Sequence, residues 1–113
     1  MSKLEETINL YKEENKKLGL GISNTLLEQV TRSLGPSIYN KDACRVSGSN
    51  KAEWQTVKQN YLVKKLGLED SPKLDSAISE VIDKLGSSNK NKYRALVYAM
   101  LCEKFDKQKI YDK

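Results

Sequence analysis

The sequence contains no histidine. That removes the commonest general base, the usual partner of a serine or cysteine nucleophile, and the commonest metal ligand. Cysteine is scarce too: Cys44 and Cys102 stand far apart with no paired spacing. A tetrahedral zinc site would have to recruit carboxylates or a second chain, so neither a metal nor another cofactor is expected. No apolar leader with a small-residue cleavage site begins the chain, so a reduced, cytoplasmic setting is the expectation. No apolar run approaches the roughly 20 residues that span a bilayer, so no membrane span is expected. Only eight residues are aromatic, one Trp, six Tyr and one Phe. Without a strand to carry them, base stacking on a sheet is not expected either.

What is present fits one soluble domain. The chain has 113 residues, 38% hydrophobic and 31% charged, enough for a single core beneath a well-wetted surface. The net charge of +5 is unevenly placed. Residues 84–113 hold eight cations (Lys84, Lys90, Lys92, Arg94, Lys104, Lys107, Lys109, Lys113) against Glu103, Asp106 and Asp112, and the rest of the chain is neutral. A basic end of this kind suits nucleic acid, an anionic membrane surface or an acidic protein.

Apolar residues recur at helical spacing with Gly and Pro between the periodic stretches, which predicts an all-α fold of five helices in one domain, residues 1–113. The first helix is expected over Lys3–Leu18, with a Ser2/Glu5 capping box and a Leu4, Ile8, Tyr11, Leu18 stripe, stopped by Gly19 and Gly21. The second is expected over Thr25–Leu34, with Thr25 and Glu28 as another capping box and Leu26, Leu27, Val30 and Leu34 inward. The third is expected over Lys51–Leu66, entered through Asn50, closed by Gly67 and facing inward through Trp54, Val57, Tyr61, Leu62 and Leu66. Ser71 and Pro72 open the fourth, whose stripe is Leu74, Ile78, Val81, Ile82 and Leu85, with Gly86 after it. The fifth begins after Ser87, Ser88 and Asn89 and runs to about Phe105, with Tyr93, Leu96, Val97, Met100, Leu101 and Phe105 inward. Beyond it lies a basic C-terminal tail, about residues 107–113, in which Ile110 and Tyr111 offer a means of docking.

Between the second and third helices, Gly35–Asn50 forms the one long irregular connection. It is either an ordered crossover that buries Ile38, Tyr39 and Val46, or a binding loop.

No motif carries catalysis. Gly19, Leu20 and Gly21 lack the third glycine and the preceding strand of a dinucleotide turn. Ser47, Gly48 and Ser49 signal a turn, because a nucleophile elbow needs G-x-S-x-G between strand and helix. The acidic pairs Glu5/Glu6, Glu13/Glu14 and Glu69/Asp70 are adjacent in sequence, so their side chains diverge rather than share a proton. Cys102 reads as a small buried hydrophobe, whereas Cys44, between Lys41 and Arg45, reads as a loop thiol with too little charge around it to become a nucleophile. A helix-turn-helix needs a small residue four before its turn glycine and an apolar residue six after it. Gly35, Gly67 and Gly86 all fail that test, so major-groove reading is not expected.

The stretch Asn89–Arg94 is the strongest functional signal. It sets Lys90, Lys92 and Arg94 at the expected start of the fifth helix, where cations oppose the helix dipole and exposed N–H groups favour anions. The alternative is that these cations are solvated, or pair with Asp83 or a residue of the long connection.

Three stretches carry a resemblance: Gly35 to Asn40 with Asp42 and Ala43; Thr56 and Val57 followed by Asn60 to Leu68; and Asn89 to Arg94 with Val97 and Tyr98. Over about residues 1–106 the chain resembles a family of small single-domain bacterial proteins known only as a domain of unknown function. The resemblance implies a compact helical fold and a bacterial cytoplasmic setting, and carries no reaction, cofactor or partner. Where that family tends to have Phe this chain has Tyr61, and Cys44 has no counterpart in it. It directs attention to two polar clusters, Ser37, Tyr39, Asn40 and Asp42 in the loop, and Asn60, Lys64 and Lys65 on the third helix.

The expectation is a non-enzymatic helical interaction module whose basic surface takes an anionic partner, protein or nucleic acid, with Lys90, Lys92 and Arg94 carrying the binding. The alternative is a small-molecule or phosphate binder that uses Ser37, Tyr39 and Asn40 with Arg94.

Overall fold

Each apolar stripe forms a helix. In order these are α1 (Lys3–Leu18), α2 (Asn24–Leu34), α3 (Lys51–Val57), α4 (Pro72–Leu85) and α5 (Arg94–Lys104). The computed structural model describes residues 3–39, 45–46, 51–86 and 92–111, with Pro36, Ser37, Lys51 and Gln108 described in the backbone alone. Among these residues no strand forms. One antiparallel β-bridge joins Arg45 to Tyr93.

Helix α5 lies at the centre. Its Ala95–Cys102 run is apolar without a break, and Ala95, Leu96, Val97, Ala99, Met100, Leu101 and Cys102 are buried. A helix apolar on every side has to be enclosed, and α1, α2 and α4 pack around this one. The stripes predicted for α2 and α4 face it: Leu26, Leu27 and Val30 from one, Leu74, Ile78, Val81, Ile82 and Leu85 from the other. Tyr11 of α1 sets its ring 4.9 Å from that of Tyr93, just ahead of α5. The radius of gyration is 13.0 Å, as expected of one compact core in a chain of this size. No helix among the described residues is long and apolar enough to cross a membrane.

The helix ends depart from expectation in three places. Helix α2 begins one residue early, with extended Ser23 as its N-cap, and Glu28 is held by Arg32 at 3.0 Å and Lys12 at 3.7 Å rather than turning back to cap the helix. The link before α2 is instead closed by buried Asn15. Its amide donates to the Ile22 carbonyl (2.8 Å) and its carbonyl accepts from the Ile22 N–H (3.1 Å), so one side chain satisfies both backbone groups of a buried residue.

Helix α3 does not continue as regular helix to Leu66. It widens into a π-helical stretch, Lys58–Val63, and then turns, the Leu66 N–H reaching the Tyr61 carbonyl at 2.9 Å. The widened stretch brings Lys58, Tyr61 and Leu62 inward together. Gly67 closes the turn at φ +71°, the left-handed cap its position predicts.

Helix α5 starts at Arg94, with Tyr93 as N-cap, later than the sequence implies. Of the long connection, Ile38 and Val46 are buried as expected, whereas Tyr39 is 47% exposed. The first part of that connection is a 3-10 turn, Gly35–Tyr39, and a second such turn, Gln108–Tyr111, folds the tail back.

Candidate functional site

The basic stretch before α5 faces inward where the structure describes it. Lys92 is buried, its carbonyl accepting from the Val46 N–H at 2.8 Å. Arg94 is half-buried and heavily engaged. Its guanidinium meets Glu53 at 3.3 Å, donates to the Tyr98 hydroxyl at 3.0 Å and, at 3.5 Å, to the Arg45 carbonyl. The Glu53 carboxylate offsets the cost of a cation in the first helical turn. Arg45 in turn lies over the Tyr93 ring at 5.7 Å. The stretch therefore fastens the long connection to α3 and α5, and a residue of that connection does pair with it. Only Arg94 stands in the first turn of the helix, and Lys90 lies outside the described residues.

From Arg94 an aromatic column crosses to the tail. The guanidinium sits 5.6 Å from the Tyr98 ring, which stacks on Tyr61 at 4.0 Å and 12°. Tyr61 donates to the Tyr98 carbonyl at 3.0 Å and is 2.8 Å from the Tyr111 hydroxyl. Having spent its one proton, it accepts from Tyr111. Gln29 fixes the tail by donating to the Tyr111 carbonyl at 3.1 Å. Burial pushes the hydroxyl pKa of both Tyr61 and Tyr111 upward, so both stay protonated as the bonds require.

At the outer end of this column lie the exposed cations. The Lys65 ammonium stands 5.2 Å from the Tyr111 ring, Lys64 precedes it, and Lys109 belongs to the same 3-10 turn as Tyr111. All three lysines are exposed, and among the described residues no carboxylate pairs with them. The tail's part in this surface was missed by residue type: its lysines were counted as charge and Tyr111 as a docking residue.

The other candidates lie apart from this cluster. Tyr39 is exposed beneath the Lys3 ammonium, 6.0 Å away. Ser37 is described in its backbone only, and Asn40, Asp42 and Cys44 lie outside the described residues. Asn60 is exposed on the π-helical stretch. Cys102 is buried and unpaired, and burial raises its thiol pKa, as suits a small hydrophobe. Lys58 is buried and its ammonium meets two partly exposed aspartates, Asp70 and Asp75, each at 2.9 Å, an ion cluster that joins the π-helical stretch to the start of α4. Among the described residues no three carboxylates or thiols converge as metal ligands.

Residues 10–109 match a family model described as a protein of unknown function. No curated protein matches the chain.

Proposed function

Since the chain belongs to the DUF2853 family of proteins of unknown function, we propose from its own surface that it is a non-enzymatic helical interaction module, acting in the cytoplasm on an anionic protein or nucleic acid. The observation that carries this reading is the set of exposed cations beside Tyr111: Lys65, 5.2 Å from its ring, Lys109 in the same 3-10 turn, and Lys64 next to Lys65 in the chain. These are exposed cations without carboxylate partners among the described residues, held on an ordered aromatic base. Several other cations are committed to ion pairs, Arg94 to Glu53, Lys58 to two aspartates, Lys104 to Glu80, and Lys12 and Arg32 to Glu28, while Lys16, Lys17, Lys73 and Lys84 are exposed without one among the described residues. Unpaired cations gain Coulomb energy from an incoming anion without first breaking an ion pair. A fixed aromatic surface adds contact area at little entropic cost. The unpaired, buried thiol of Cys102 is in keeping with a reducing compartment.

The test is fluorescence anisotropy of labelled mixed-sequence duplex DNA, single-stranded RNA and a polyglutamate peptide, at about 50 and 200 mM salt. The expected result is binding of at least one probe, with affinity falling steeply between the two salt conditions. Failure of all three to bind at the lower salt, or binding indifferent to salt, would overturn the reading.

A further inference from the structure

A second site has different chemistry. Between α4 and α5, against the link that precedes α2, lies a hollow of about 250 Å³, smaller than the sites that take drug-sized ligands. Leu20, Val81 and Met100 line it and are themselves buried, which gives it an apolar floor. Four charged side chains complete the lining, Glu80 and Lys84 from α4 and Glu103 and Lys104 from α5. Glu80 and Lys84, four residues apart, share one side of α4, but Glu80 pairs across to Lys104. Lys84 is exposed, and among the described residues its ammonium has neither an ion pair nor a hydrogen bond. Glu103 is half-buried; its Oε2 accepts from the Ser23 N–H at 3.2 Å, and its Oε1 has no partner among the described residues. Lys84 and Glu103 form no ion pair with each other, so one hollow is lined by two opposite charges that remain uncompensated.

We propose that this hollow binds a free α-amino acid with an apolar side chain. Such a molecule carries an ammonium and a carboxylate on one carbon and an apolar body beyond them. The ammonium donates to Glu103, whose carboxylate only accepts, the carboxylate accepts from Lys84, whose ammonium only donates, and the side chain covers Leu20, Val81 and Met100. A ligand of one charge would satisfy Lys84 or Glu103 while taking water from the other, and a charge desolvated without a partner is costly. Glu80 and Lys104 already compensate one another and so favour an ion of neither sign. The lining is balanced in charge where the surface around Tyr111 is basic, and the inference stands whether or not that surface binds an anion.

The test follows the backbone amide NMR signals of Leu20, Val81 and Met100 while the protein is titrated with leucine and with methionine to about 20 mM, beyond the millimolar Kd of a weak site. Isocaproate, which is leucine without its amine, and isoamylamine, which is leucine without its carboxylate, are titrated alongside. The expected result is a saturable shift at these amides with at least one amino acid, and binding at least about fivefold weaker for each single-charge analogue, the loss of one charged hydrogen bond. Lys84→Ala and Glu103→Gln are each expected to weaken amino-acid binding about fivefold for the same reason. Lys84 has no partner to lose among the described residues, and glutamine keeps a carbonyl oxygen for the Ser23 N–H, so the unfolding midpoints of both variants should match the wild type. No saturable shift with either amino acid, an analogue that binds as tightly as leucine, or undiminished affinity in either folded variant would overturn the proposal.

Discussion

The Tyr61 hydroxyl accepts from Tyr111 and donates to the Tyr98 carbonyl, so Tyr61→Phe keeps the stacked ring and deletes both bonds. The expected cost is about 1–2 kcal/mol in denaturant unfolding, together with faster proteolysis of the tail; unchanged tail protection would show that Tyr111 is held by Gln29 and packing alone. Arg94→Ala should act on the connection it fastens, leaving the half-buried Glu53 carboxylate short of a partner at a cost of about 1–3 kcal/mol. It should also speed hydrogen exchange at the Val46 amide, which bonds to the Lys92 carbonyl. At this scale the sequence was half legible. The ring of Tyr61 lies on a visible apolar stripe, but the partner of its hydroxyl is 50 residues away and no periodicity points to it. Lys92 misleads for a related reason, since a lysine reads as surface charge while here its backbone carbonyl holds the connection and its side chain is buried.

The join between the π-helical stretch and α4 depends on Lys58 and its two aspartates, with Gln59 adding a bond to Asp70 at 3.0 Å. The lysine lowers the Asp70 pKa below its ordinary 3.8, and the two aspartates raise that of Lys58 above 10.5. The aspartate's contribution is present above 3.8 and lost as pH falls through its depressed value. The lysine's is present below 10.5 and lost as pH rises through its elevated one. Lys58→Met is therefore expected to melt below the wild type by a constant margin from about pH 5 to 9, a margin that shrinks in acid; thermal melts across pH check this, and a gap that persists at low pH would assign the loss to packing instead. The cluster was not readable in advance, because an apolar stripe of Val57, Tyr61, Leu62 and Leu66 fits regular and widened helix equally well. Helix starts proved harder to place than helix bodies. Asn89 has the side chain expected of a cap, but α5 begins at Arg94 behind Tyr93, whose side chain makes no cap bond. There, pairing with Arg45 and Val46 decides the boundary.

Over the whole molecule, helical spacing and the placement of glycine were sufficient to read an all-α fold, because burial of five apolar stripes leaves few other arrangements. The charge map was less transparent. The excess of +5 lies entirely in residues 84–113, but folding buries Lys92 and commits Arg94 and Lys104 to ion pairs. Among the described residues, the surface around Tyr111 draws Lys65, with Lys64 before it, from the neutral part of the chain and Lys109 from the basic end. Which lysines share a surface is settled by how the tail folds back, and sequence proximity does not show it. The most direct measurement compares the wild type with Lys64→Glu/Lys65→Glu/Lys109→Glu for the anionic probe bound best, by anisotropy at about 50 mM salt, where such attraction is least screened. Lys16→Glu/Lys17→Glu, a charge reversal at the exposed end of α1, serves as the control. The account predicts a loss of at least about tenfold in the first variant and a change within about twofold in the second. Equal losses in the two would mean that net charge alone drives binding, and undiminished affinity in the first would contradict the assignment of the surface.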